Sequence, residues 1–106
     1  MADFLGLMKQ ATQLQAKMQE MQAELEASEV EGVAGGGLVG VKLNGKGDCK
    51  SVRIDESLVK PGEKEIIEDL IVAAHADARR KAETLMAEKM KSLTGGLPLP
   101  PGMKLF

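Results

Sequence analysis

Aromatic residues are almost missing from this chain of 106 residues: Phe4 and Phe106 are the only two, and Trp and Tyr do not occur. That scarcity excludes nucleic-acid recognition built on stacking bases against aromatic platforms. The single cysteine, Cys49, cannot form an internal disulfide. With no basic-then-apolar leader at the start, a reducing cytoplasm is the expected setting. His75 is the only histidine, with no second Cys or His and no carboxylate spaced to work with it. Metal ligation and a nucleophile–base pair are therefore unsupported, no cofactor is expected, and packing roles are expected for Cys49 and His75. No apolar run approaches the length of a membrane span. The net charge of −2 gives no overall attraction to nucleic acid or membrane. What remains is an ordinary globular balance, 28% charged and 43% apolar, in a length suited to one domain.

Glycine, by contrast, is concentrated in the segment GGGLVGVKLNGKGDCKSVRI, residues 35–54. Gly35 to Gly40 matches the dinucleotide-binding string G-x-G-x-x-G, which has meaning only when a strand precedes it and a helix opens from it. Here Val39, Val41 and Leu43 alternate with Gly40, Lys42 and Asn44, the period of a strand. Asn44-Gly45-Lys46-Gly47 follows as a hairpin signal, since Asn and Gly accept positive φ cheaply. A second alternating run covers residues 48–54. The glycines thus belong to a β-meander whose first strand is expected over Val30 to Ala34, and the nucleotide reading fails. Gly45-Lys46-Gly47 also lacks the flanking residues and helix of a phosphate loop. Asp55-Glu56 reads as a turn or helix start.

Two long helical patterns flank the meander. From Asp3 to about Ser28 there is no Pro, and Phe4, Leu7, Ala11, Leu14, Met18, Met21 and Leu25 alternate spacings of three and four, a coiled-coil-like a/d seam. The second helix is expected after Pro61-Gly62 and up to about Ser92. Ile67, Ile71, Ala74, Ala78, Ala82, Leu85 and Met86 form its apolar stripe, widened at the start by Ile66, Leu70 and Ala73. Acids crowd its first turns and Lys89 and Lys91 its last, which suits the helix dipole. The single domain is expected to span residues 1–94, and Gly95-Gly96 followed by Leu97-Pro98-Leu99-Pro100-Pro101 predicts a stiff extended tail over 95–106. A helix of about 26 residues spans about 39 Å, whereas a compact domain of this size has a radius of gyration near 13 Å. Part of the seam must protrude, and three short strands leave open edges. A homodimer answers both problems.

Charge is unevenly spread. Residues 20–31 carry five glutamates and no base, while Arg79, Arg80, Lys81, Lys89, Lys91 and Lys104 outnumber Glu83 and Glu88 in residues 78–106. Antiparallel helices would set mildly basic distal ends against an acidic sheet-proximal base. Distal bases suit phosphate, and the glutamines of the first helix could supply neutral hydrogen bonds. An ordinary solvated helix face accounts for the same charges. A dimeric adaptor that captures another protein through its exposed seams or Pro-rich tail is the alternative function.

The strings LMKQATQLQAKMQEMQAEL, GGGLVGVKLNGKGDCKSVRIDESL, IIEDLIVAAHADARRKAE and TGGLPLPPGMKLF together resemble the YbaB/EbfC family of small bacterial nucleoid-associated proteins, over essentially the full chain. The resemblance implies a homodimer with a joined β-layer and projecting, tweezer-like helices. It also implies DNA binding that alters DNA conformation, and no enzymatic activity. The expectation is an α+β protein with a long N-terminal helix, a three-stranded antiparallel meander and a long C-terminal helix. It would act on duplex DNA in the cytoplasm and nucleoid, with phosphate contacts and weak sequence preference, and with no membrane and no small-molecule substrate. The candidate DNA contacts are Lys9, Gln13 and Lys17 on the first helix and Arg79, Arg80, Lys81, Lys89 and Lys91 on the second.

Overall fold

In a computed structural model of the chain, residues 2–94 are described, with side chains from 3 to 92. The order is helix α1 (Ala2–Ala27), strands β1 (Glu29–Ala34), β2 (Val39–Asn44) and β3 (Cys49–Ile54), a 3-10 turn (Glu56–Leu58) and helix α2 (Lys64–Thr94). This is the α+β architecture expected from the sequence, with β1 starting one residue early and β3 one residue late. The tail expected over 95–106 lies outside the described residues.

The sheet is an antiparallel meander in the order β1-β2-β3. Gly35, Gly36 and Gly37 all take positive φ, so the first turn uses a conformation that residues with a Cβ rarely adopt. The second turn works differently from the expectation. Asn44 has no positive φ; it is the last residue of β2 and is buried. Its Oδ1 accepts from Lys46 N (2.9 Å) and Asp48 N (3.0 Å), and Gly47 alone takes the left-handed conformation. Asn44 therefore builds the turn with its side chain, as an Asx turn does.

β2 is the centre of the core. Val39, Val41 and Leu43 are buried against Ala74, Ala78 and Leu58, with Val30, Ala34, Ile54, Ile67, Leu70 and Ile71 packed around them. Alanines at every fourth position of α2, Ala74, Ala78 and Ala82, let that helix approach the sheet closely. Gly32 completes the fit, because a Cβ there would overlap Ala78 N and Ala74 O. α2 packs chiefly over β1 and β2. As a result Val52 on β3 remains 46% exposed; Val59, after the 3-10 turn, is 67% exposed.

α1 touches this body only at its C-terminal end. Leu25 is buried, and Gly45 donates its N–H to Leu25 O at 2.8 Å. Met21 is half-buried, and Phe4, Leu7, Leu14 and Met18 of the seam are exposed. The protruding helix gives a radius of gyration of 19.8 Å, well above the roughly 13 Å of a compact chain of this length. The packing roles expected for Cys49 and His75 are corrected here: both residues are exposed. Cys49 sits at the start of an edge strand, and His75 falls beside rather than on the Ala74–Ala78 line that meets the sheet.

Candidate nucleic-acid interface

Lys9, Gln13 and Lys17 recur every fourth residue along α1 and form one exposed row, with successive members about 6 Å apart along the axis. The side chains of Lys9 and Lys17 have no hydrogen bond or ion pair among the described residues. They stand on the part of the helix that projects from the sheet, where little protein lies between them and a long polyanion.

On α2 the candidate bases are spread and mostly engaged. Arg79 Nε reaches Glu83 Oε1 at 3.4 Å, one turn along an exposed face. Arg80 Nη2 lies 3.0 Å from Asp77 Oδ1. Lys81 Nζ lies 3.3 Å from Asp77 Oδ2 and donates to Glu31 O at 2.7 Å. Asp77 also accepts Val33 N–H at 3.0 Å. The Val33 hydrogen bond first, and the Lys81 and Arg80 contacts after it, hold the Asp77 carboxyl below the ordinary aspartate range. Lys89 Nζ bridges to Glu24 Oε2 at 2.9 Å and ties α2 to α1. Lys91 lies exposed near the end of α2.

The structure thus brings Lys17 and Lys89 together. With Glu20, Met21, Glu24 and Ser92 they line an open cleft of about 440 Å³ between the helices. That cleft joins bases to acids, so the expected separation into basic tips and an acidic base is blurred. Part of the acidic stretch is neutralised in place, Glu24 by Lys89 and Glu26 by Lys46 at 3.5 Å. Lys9 and Gln13 lie farther out along α1, away from the α2 bases.

Sequence reasoning passed over Arg53. Its guanidinium lies across Gly40 on the sheet face away from α2 and donates to Gly37 O at 3.0 Å. Lys42 is exposed on the same face, since β2 alternates. The missed signal was the cross-strand glycine: Gly40 pairs with Arg53, and the missing side chain leaves room for the guanidinium to lie flat. Among the described residues, no group of three or more His, Cys, Asp or Glu could hold a metal ion. No helix there is long and apolar enough to cross a membrane.

The family model described as the YbaB/EbfC DNA-binding family matches residues 1–97. The chain is 68% identical over 102 residues to Nucleoid-associated protein BRADO0764 of Bradyrhizobium sp. (strain ORS 278), covering 96% of each chain. It is 62% identical over 105 residues to a nucleoid-associated protein of Rhodopseudomonas palustris (strain TIE-1), covering 99% of each. Among solved structures, the fold resembles that of an uncharacterized protein, HP0035, from Helicobacter pylori. That match has a TM-score of 0.73 at 21% identity and covers 84% of this chain and 94% of that one. Sequence, helix–meander–helix order and relatives agree: the chain belongs to the YbaB/EbfC DNA-binding family.

Proposed function

We propose that the chain is a nucleoid-associated protein of the bacterial cytoplasm that binds duplex DNA as a homodimer. It would act mainly through phosphate contacts, with weak sequence preference, and alter the path of the DNA it holds. The observation that carries this reading is the unpaired row Lys9–Gln13–Lys17 on a helix that projects clear of the sheet. The names of the relatives at 62–68% identity support it. Lys9 and Lys17 neutralise phosphate and release counterions, and Gln13 positions without specifying.

Arg79, Arg80, Lys89 and Lys91 contribute further contacts. Ion pairs as exposed as Arg79–Glu83 are weak and exchange readily for phosphate. Lys81 contributes least, since its ammonium is already held by Asp77 and Glu31. The reading assigns no reaction and no cofactor. The test is a salt series of duplex binding for the parent and for K9E/K17E. The parent slope of log K against log salt should be steep, and the loss of two contacts per chain, four in the dimer, should flatten it by about 3.6. A parent slope near zero would refute the phosphate reading.

The dimer is proposed through β3. On that strand the core face runs out from under α2 at Val52, the nearby chain exposes Val59 after the 3-10 turn, and the strand edge is open to a second copy. A protein-adaptor role is the second reading, favoured by one observation: Phe4, Leu5, Leu7 and Met8 are all exposed in the first turns of α1. A stoichiometric protein partner that survives nuclease treatment would establish it, and loss of all bound material on that treatment would remove it.

A further inference from the structure

A three-stranded sheet has two edges, and here they are not equivalent. In β1 the residues that bond to β2 alternate with residues whose N–H and C=O point outward, Glu31 and Val33 among them. Both of those outward positions are occupied by side chains of α2. Asp77 Oδ2 accepts Val33 N–H at 3.0 Å, and Lys81 Nζ donates to Glu31 C=O at 2.7 Å.

The two side chains are one helical turn apart and bonded to each other at 3.3 Å, so they form a clamp along the edge. Aspartate is short, and it reaches the strand because Gly32 lets the α2 backbone lie directly on β1. Glu29 and Glu31 add charge to the same edge, a further obstacle to an incoming strand. On β3 the alternation turns the N–H and C=O of Val52 outward, and no described residue bonds to either.

We infer that the Asp77–Lys81 clamp closes the β1 edge to strand addition, so that only β3 can receive a second copy of this chain and assembly stops at two. A sheet with both edges open would continue head to tail, since a non-closing contact propagates. The clamp makes the two-chain assembly a closed one. This inference rests on the dimer proposed above, and its test is arranged to separate the two.

The full chain and its D77L/K81M variant are compared by sedimentation velocity over a concentration series, with circular dichroism to confirm the fold. The parent should sediment as two chains throughout, and D77L/K81M should add larger species that grow with concentration. Adding V33P should return the variant to the parent's mass, because proline removes the outward N–H and blocks an edge. A folded D77L/K81M with the parent's mass at every concentration overturns the clamp. A parent that sediments as one chain refutes the dimer alone; the clamp then stands or falls on whether the variant gains mass over it.

Amide exchange in the unmutated chain gives a reading that does not depend on a variant folding. Val33 N–H should exchange at least about tenfold more slowly than Glu31 N–H on the same edge, because it is bonded to a carboxylate. Equal rates at the two amides overturn the clamp.

Discussion

At the scale of single residues, the most demanding positions are those where a side chain or its absence sets a close approach. Gly32 lies under the backbone of Ala78, so Gly32→Ala forces α2 off the sheet and should cost about 3 kcal/mol, the upper end for overpacking. Urea denaturation of the full chain measures this. Gly6, in the exposed start of α1, has nothing within 4 Å of an added Cβ. Gly6→Ala should therefore favour the helix by about 0.8–1 kcal/mol, read as increased helical ellipticity. Asp77 makes a pH prediction. Its folded-state pKa is lowered, chiefly by the Val33 hydrogen bond. The folded state then holds its proton less tightly than the unfolded chain, and Asp77 adds stability above the ordinary aspartate pKa of about 3.9. That stability is lost as pH falls through the lower folded value. Comparing the acid limb of unfolding in the parent and in Asp77→Leu should show a shallower fall for the variant.

At the scale of elements, α1 and α2 share a helical pattern but do different work. α2 carries its alanine line onto the sheet and is part of the core. α1 is anchored by Leu25, by the Lys89–Glu24 bridge and by little else. Leu25→Ala should thus loosen α1 while leaving the sheet and α2 folded. Amide exchange along residues 10–24 should accelerate, with Val39, Val41 and Leu43 still protected. The same division ranks the DNA contacts. Neutralising Lys9 and Lys17 should weaken duplex binding at low salt without lowering the melting temperature. Neutralising Lys81 should lower stability and affect binding less, because its ammonium serves β1. A gel shift and a melting curve on K9Q/K17Q and K81M together check the ranking.

At the scale of the whole molecule, the chain is a small sheet-and-helix body with a long arm. Its core face is left open along β3, where Val52 is exposed on a strand with an unpaired edge, and Val59 is exposed in the segment between the 3-10 turn and α2. Placing charge there should prevent a second copy from docking while sparing a fold centred on β2. V52K/V59K is expected to sediment as a single folded chain. Loss of the dimer should also cut duplex affinity at low salt, since the two arms no longer bind as one unit. A V52K/V59K variant that keeps the parent's mass would move the interface away from β3.

The sequence by itself determined the element order, because a 3–4 spacing can be satisfied only by a helix and a strict alternation only by a strand. It also determined the meander, since Gly35-Gly36-Gly37 supplies the backbone freedom that its first turn uses. The family was legible in the same strings. Periodicity, however, records which residues share a face and not what that face meets. Only the tertiary structure decided that the seam of α1 is buried at Leu25 and bare at Phe4, and that α2 leaves β3 uncovered. Pairing of charges is likewise a matter of three-dimensional distance. Arg79-Arg80-Lys81 reads in the sequence as one basic cluster. In the fold, two of its members share Asp77, one of those two holds the β1 edge, and among the candidate contacts on α1 it is Lys9 and Lys17, spaced apart along the chain, whose side chains have no partner among the described residues.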